Sequence, residues 1–265
     1  MRITESRGVV VAVCVVLLAG CGDPGSAEPG TAGPGPTSST SSQSPSASPT
    51  ETGTTADEAI AVVQSWLEAA QAADVDTLTD LTGALSLRNA EGMGGLESLS
   101  SGLAEGMGAF SDAKDPHWSA VVIPSQPDAW LVVLRGTVTR EGMTETDARS
   151  WIVHPEGDRP AVVEAFAASF PEYVSPEPGT RDLAADEPVS VYLAGGGGSG
   201  TVLLDGEPLA DGVTVEGADG DQLLVTALPP GGWPAGEHTV TVAAVPATPG
   251  ADAPWVSVAI PVEVA

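Results

Sequence analysis

The sequence predicts an α+β fold followed by an all-β one, and three observations carry that prediction. Apolar residues recur at helical spacing between 55 and 81. Runs rich in Val, Trp and Thr, separated by short turns, follow from 118 to 170 and read as a curved antiparallel sheet. Beyond 188 only short strand patterns remain, interrupted by Asp-Gly turns at 205, 211 and 219.

At the start of the chain, Arg2 and Arg7 precede an apolar run from Val9 to Leu18 and the small residues Ala19 and Gly20, the pattern of a secretory signal peptide over 1–20. The apolar stretch covers about 12 residues, roughly 18 Å as a helix, against a hydrocarbon core of about 30 Å. It is too short to span. Leu18-Ala19-Gly20-Cys21 resembles the lipobox of bacterial lipoproteins and sits at the end of the apolar run, where that family carries it. The resemblance implies diacylglyceryl transfer to the Cys21 thiol, cleavage before Cys21, and a place on the extracytoplasmic face of the cell membrane. Two acyl chains hold stably where one is marginal. Cys14 lies in the discarded segment, which leaves no pair for a disulfide.

Residues 21–54 are Ser, Thr, Pro and Gly with hardly an aliphatic side chain, so ordering them is not repaid by burial. They read as a tether. As a flexible coil it spans roughly 30 Å, and up to about 100 Å where proline stiffens it.

Thr55 and Glu58 form a capping box ahead of Ile60, Val63, Trp66, Leu67 and Ala70, which opens a helix. Asp74 caps a second, with Val75, Leu78 and Leu81 on one face and Gly83 as its stop. A third stripe runs Met93, Leu96, Leu99, Leu103, Met107, Phe110, interrupted by glycines. Strands are expected at Trp118–Ile123, Ala129–Arg140, Met143–His154 and Ala161–Phe170, with turns at Ser125–Asp128, Glu141-Gly142 and Pro155–Asp158. Short connections make this sheet an antiparallel meander.

Three helices before a curved sheet, with Val63-Gln64-Ser65-Trp66-Leu67-Glu68-Ala69-Ala70 and Asp80-Leu81 as the opening pair, resembles the NTF2-like (SnoaL-like) cone, here assigned to 55–178. A cystatin-like helix on a sheet is the nearest alternative. Pro171–Pro188 reads as a polar connection. The strands from Val189 to Val264, with Gly236-Glu237-His238-Thr239-Val240-Thr241-Val242 as a late one, resemble an immunoglobulin-like β-sandwich over 185–265.

The formal charge is −27, and after Arg181 there is no Lys or Arg. Such a surface repels phosphate backbones and excludes nucleic acid as a partner. No catalytic signature stands out: the histidines are His117, His154 and His238, and no nucleophile elbow occurs. Gly195–Gly200 satisfies a dinucleotide-type glycine spacing, yet Thr201-Val202-Leu203-Leu204 after it reads as a strand, where a pyrophosphate site needs a helix. Glu216–Asp221 gathers carboxylates but reads as a solvated turn, so neither metal nor cofactor is expected. What remains is a candidate pocket in the cone, with Trp66, Trp118, Trp130, Trp151 and His154 as its aromatic surface and Glu164 or Asp147 as its carboxylate. A desolvated carboxylate there suits proton abstraction, whereas Trp and Val on strands also suit plain core. The sequence thus points to a membrane-anchored module that binds a small molecule or a protein, with a cone enzyme or a structural envelope component as alternatives.

Overall fold

The computed structural model describes residues 54–100, 113–140, 143–165, 172–176, 181–194, 198–218, 222–245 and 255–265. Residues 50–265 form one compact unit, with an α+β half followed by an all-β sandwich. Among the described residues no helix is long and apolar enough to cross a membrane.

Helix α1 (Ala56–Ala72) starts at the expected capping box: the Thr55 N–H and hydroxyl donate to Glu58 Oε2 at 2.7 and 2.9 Å. It ends where Ala73 turns left-handed. Helix α2 (Val75–Leu81) is capped by Asp74, whose carboxylate accepts from Thr77 N–H and hydroxyl. These hydrogen bonds hold both exposed carboxyls below their ordinary range, from the Thr55 backbone and then its side chain for Glu58, from the Thr77 side chain and then its backbone for Asp74. A carboxyl whose folded value is lowered adds stability above its unfolded value and loses it as pH falls through the folded one. Amide NMR during acidification should therefore show the first turns of α1 and α2 loosening as Glu58 and Asp74 protonate. Thr55 and Thr77 resonances that stay fixed until global acid unfolding would refute this.

A third helix, α3 (Ala84–Gly92), has Gly83 as its N-cap, so the glycine expected to stop α2 opens α3 instead, and α2 ends with Thr82 as its C-cap. Residues 96–100 are again helical, and the rest of the expected third stripe, from 101 on, lies outside the described residues. The meander follows as β1 (Lys114–Ile123), β2 (Gln126–Arg140), β3 (Met143–Glu156) and β4 (Arg159–Glu164), antiparallel and in chain order. The first turn is tighter than expected: Gln126 already pairs with Ile123 and is buried.

The sandwich consists of β5 (Glu172–Ser175), β6 (Asp182–Leu183), β7 (Val189–Ala194), β8 (Ser199–Leu204), β9 (Glu207–Pro208), β10 (Val213–Ala218), β11 (Gln222–Ala227), β12 (Gly236–Val245) and β13 (Val256–Val264). One sheet runs β10-β11-β7-β5 and the other β6-β13-β12-β8-β9. The stretch read as a polar connection thus contributes two strands, β5 against β7 and β6 parallel to β13.

Three hydrophobic cores stack these layers. The helices cover one face of the meander through Ala59, Val63, Trp66 and Leu67 against Val132, Leu134, Trp151 and Val153. Inside the sandwich, Val191, Leu193, Val225, Trp233, Val240 and Val242 pack together. Between the two halves, Ile123, Leu131, Val133 and Ile152 of the meander meet Leu203, Ala243 and Val245 of the sandwich, with Trp255 and Ala259 alongside. This third contact is a seam between the meander's outer face and the sheet that contains β8, β12 and β13. Toward the start of β12 it turns polar. Arg135 lies 3.6 Å from Asp205 and donates to the Glu237 carbonyl, and Thr146 donates to the Glu237 carboxylate at 3.0 Å.

Candidate functional site

The β3–β4 hairpin brings a set of polar groups to the junction of the helices, with His154 and Glu164 among them buried. Its turn, with Gly157 at positive φ, holds Glu156 and Arg159 side by side as an ion pair. Arg159 donates to the carbonyls of Thr82 at 2.8 Å and Asp80 at 3.1 Å, satisfying orphan acceptors at the end of α2. Glu156 accepts from the Ala84 N–H at 3.1 Å, at the start of α3. Two opposite charges on one turn thus clamp the junction between two helices, each with the sign that its helix end attracts.

Glu164, at the end of β4, completes the clamp. Its Oε2 accepts from the Ser86 N–H at 3.1 Å and from the Ser86 hydroxyl, and that hydroxyl oxygen accepts from the Ala165 N–H. Gly83 has no side chain to cap α3, and it must have none, because a Cβ there would overlap the Glu164 carboxylate. On the other side Oε1 lies 3.2 Å from His154 Nε2, and the imidazole stacks flat on Trp255 at 4.3 Å. Ser86, His154 and Glu164 are 1%, 8% and 5% exposed.

The hydrogen-bond roles follow from the backbone. A carbonyl only accepts, so His154 Nδ1, 2.9 Å from the Pro155 carbonyl, is the donor. Nε2 then meets Glu164 as a hydrogen bond only when one proton lies between them, on either partner. The cluster holds a serine, a carboxylate and a histidine in the order Ser86, Glu164, His154. In a hydrolytic triad the imidazole takes the serine proton directly. Here the carboxylate stands between them and nearly all of its accepting capacity goes into docking α3, so the arrangement suits holding a helix rather than activating a nucleophile.

The residues singled out from the sequence divide between two places. Trp66, Trp118, Trp130 and Trp151 join the helix-side core: Trp66 is fully buried with its Nε1 donating to Thr82 Oγ1 at 2.9 Å, and Trp118 stacks on Trp151 at 5.9 Å. Trp130 donates to the Thr54 carbonyl. His154 and Glu164 come together on the cluster just described, away from that aromatic group. Asp147 is apart from both, its Oδ1 accepting from the Ala148 N–H and from Arg149. Cys21 and the tether to residue 53 lie outside the described residues.

No protein-family model matches the chain, and no curated protein does. Among solved structures, it has a likeness to the SGBP-B protein of the Bacteroides ovatus mixed-linkage glucan utilization locus, in complex with a mixed-linkage heptasaccharide. That alignment is 13% identical, covers 58% of this chain and 37% of that one, and has a TM-score of 0.23. A tandem of immunoglobulin domains from titin aligns at 10% identity, covering 52% of this chain and 88% of that one, with a TM-score of 0.22. Neither superposition reaches the level of a shared fold.

Among the described residues no three His, Cys, Asp or Glu side chains gather as metal ligands. The glycine-rich stretch leads into strand β8 at Ser199, without a helix for a pyrophosphate. Of the acidic run from Glu216, residues 219–221 lie outside the described residues and Glu216 itself stands on β10. Sequence reasoning missed Ser86, Gly83, Glu156, Arg159 and Trp255. Their one legible signal is the absence of a capping side chain at Gly83 ahead of a helical run, which demands carboxylates from elsewhere.

Proposed function

We propose that the chain is a lipid-anchored, extracytoplasmic binding module that engages a protein or small-molecule partner through the outer surface of its folded half-pair. The observation that carries this reading is the occupied interior of the α+β half. Trp66 is fully buried against Val132 and Val153, and the buried carboxylates Glu164 and Asp147 are both spoken for by backbone and side-chain donors. A cone enzyme needs a cavity with a convergent, available acid or base. On this reading the α+β half is an NTF2-like cone filled by its own side chains, and the sandwich is an immunoglobulin-like spacer or second contact.

Anchoring rests on Leu18-Ala19-Gly20-Cys21 and on the Ser/Thr/Pro/Gly stretch behind it, which gives the folded part reach from the membrane. In a bacterial host that processes lipoproteins, the wild type is expected in the membrane fraction and labelled by a fatty-acid probe. Cys21→Ala is expected to lose the label and the membrane association together. A Cys21→Ala protein that still carries the label, or a wild type that never does, would overturn the anchor.

A further inference from the structure

Among the described residues, the buried side-chain polar atoms without a hydrogen-bond partner are Ser150 Oγ, Thr239 Oγ1, Thr241 Oγ1 and His238 Nε2. The hydroxyls of Ser150, Thr239 and Thr241 converge on the seam between the two halves. Thr239 and Thr241 alternate along β12 with residues of the sandwich core, so they share the face of Ala243 and Val245, which the meander covers. Ser150 lies opposite Val133 in register and shares the face of Ile152, on the meander's side of the same seam. The His238 ring belongs to the rim, where its Nδ1 meets Asp205 at 2.7 Å.

Folded proteins rarely leave such groups unpaired, and a cluster of them in one interface calls for a physical reason. Trapped water is the first to consider. A void of about 30 Å³ borders Thr239, lined also by His117, Ser119, Arg135, Asp205 and Gly206, with room for a single water. It does not border Thr241 or Ser150. Parting of the two faces would open those hydroxyls to water.

The seam is also built unevenly. Its apolar end, at Ile123, Leu131, Ile152, Ala243 and Val245, is a dry core. Its other end is held by Arg135 on Asp205, Arg135 on the Glu237 carbonyl, Thr146 on the Glu237 carboxylate and Arg181 on Glu145. Arg135, Asp205, Arg181 and Glu145 are each about a third exposed, and contacts of that kind are readily exchanged for water. Each half meanwhile has a core of its own in addition to the apolar residues that it buries in the seam.

We propose that the seam is an opening device: the halves part at the polar end, about the apolar end, without either half unfolding. Opening uncovers a cleft walled by Ser150 and Arg135 on one side and by Thr239, Thr241 and Asp205 on the other. The inference does not rest on the anchored binding reading, and its test does not involve the lipid.

The full chain with Cys14→Ser and Cys21→Ser has no thiol, so one introduced cysteine reports its own exposure. Thr241→Cys places it in the seam, and Val242→Cys places it one residue on, in the sandwich core. Under native conditions a thiol reagent should label Cys at 241 at least about a hundredfold faster than Cys at 242, with a rate that barely responds to low urea, the mark of sub-global opening. Ser150→Cys, on the facing wall, should behave as 241 does, which guards against a misfolded Thr241 variant. Equal rates at 241, 150 and 242, all rising steeply with urea, would mean that the seam opens only when the protein unfolds, and would overturn the proposal.

Discussion

Glu164→Ala is expected to cost about 3–5 kcal/mol in a urea unfolding measurement, because each buried polar group left without its partner costs about 1–3 kcal/mol. The Ser86 N–H and the Ser86 hydroxyl lose their acceptor together, and His154 Nε2 loses its partner. None of them can turn to water, because Ser86 and His154 are buried with it. At the start of α3 the Glu156 contact to the Ala84 N–H would remain. Glu164→Gln separates geometry from charge. Its amide oxygen can accept from Ser86 while its NH₂ can donate to His154 Nε2 when the ring carries its proton on Nδ1, facing the Pro155 carbonyl. The glutamine variant should therefore stay within about 1 kcal/mol of the wild type. A Glu164→Ala protein as stable as the wild type would show that the cluster does not dock α3 at all.

The reach of sequence reasoning in this chain follows the locality of the signals. The capping box at Thr55 and Glu58 and the cap at Asp74 are written within four residues, and both were legible. So was the meander, because its turns are short enough to fix antiparallel neighbours. The start of α3 was not, because its caps come from Glu156 and Glu164, more than seventy residues away. Nor were β5 and β6, since strands of four and two residues are too short to show a period.

The tryptophans and His154 were grouped in one pocket for a different reason. Trp151-Ile152-Val153-His154 is buried on both faces, Trp151 and Val153 toward the helices and Ile152 toward the sandwich. A strand covered on both sides reads as a continuous apolar run, and the alternation that would assign each side chain to a face disappears. Only the register against β2 and β4, and the arrival of Trp255 from just before β13, puts His154 on the sandwich side.

Trp66→Ala is expected to lower stability by about 3–5 kcal/mol, the usual cost of deleting a large buried aromatic side chain. The effect bears directly on whether the helix–sheet interior is filled or functional. Trp66 is the largest fully buried side chain there, and its removal empties space among Val63, Leu67, Val132 and Val153 while taking the Nε1 donor from Thr82 Oγ1. Apolar engineered cavities of this kind stay dry and accept small aromatic molecules. Indole should therefore restore part of the lost stability in Trp66→Ala, raising its unfolding midpoint as its concentration passes the dissociation constant, and should leave the wild type unmoved. Native mass spectrometry should find an indole adduct on the variant alone. A wild type that binds indole as well as the variant does would mean that the helix–sheet interior has room beside Trp66, and would return weight to chemistry inside it. Rescue confined to the variant would mean that the tryptophan itself fills the helix–sheet interior, which favours a binding surface on the outside of the fold over one within it.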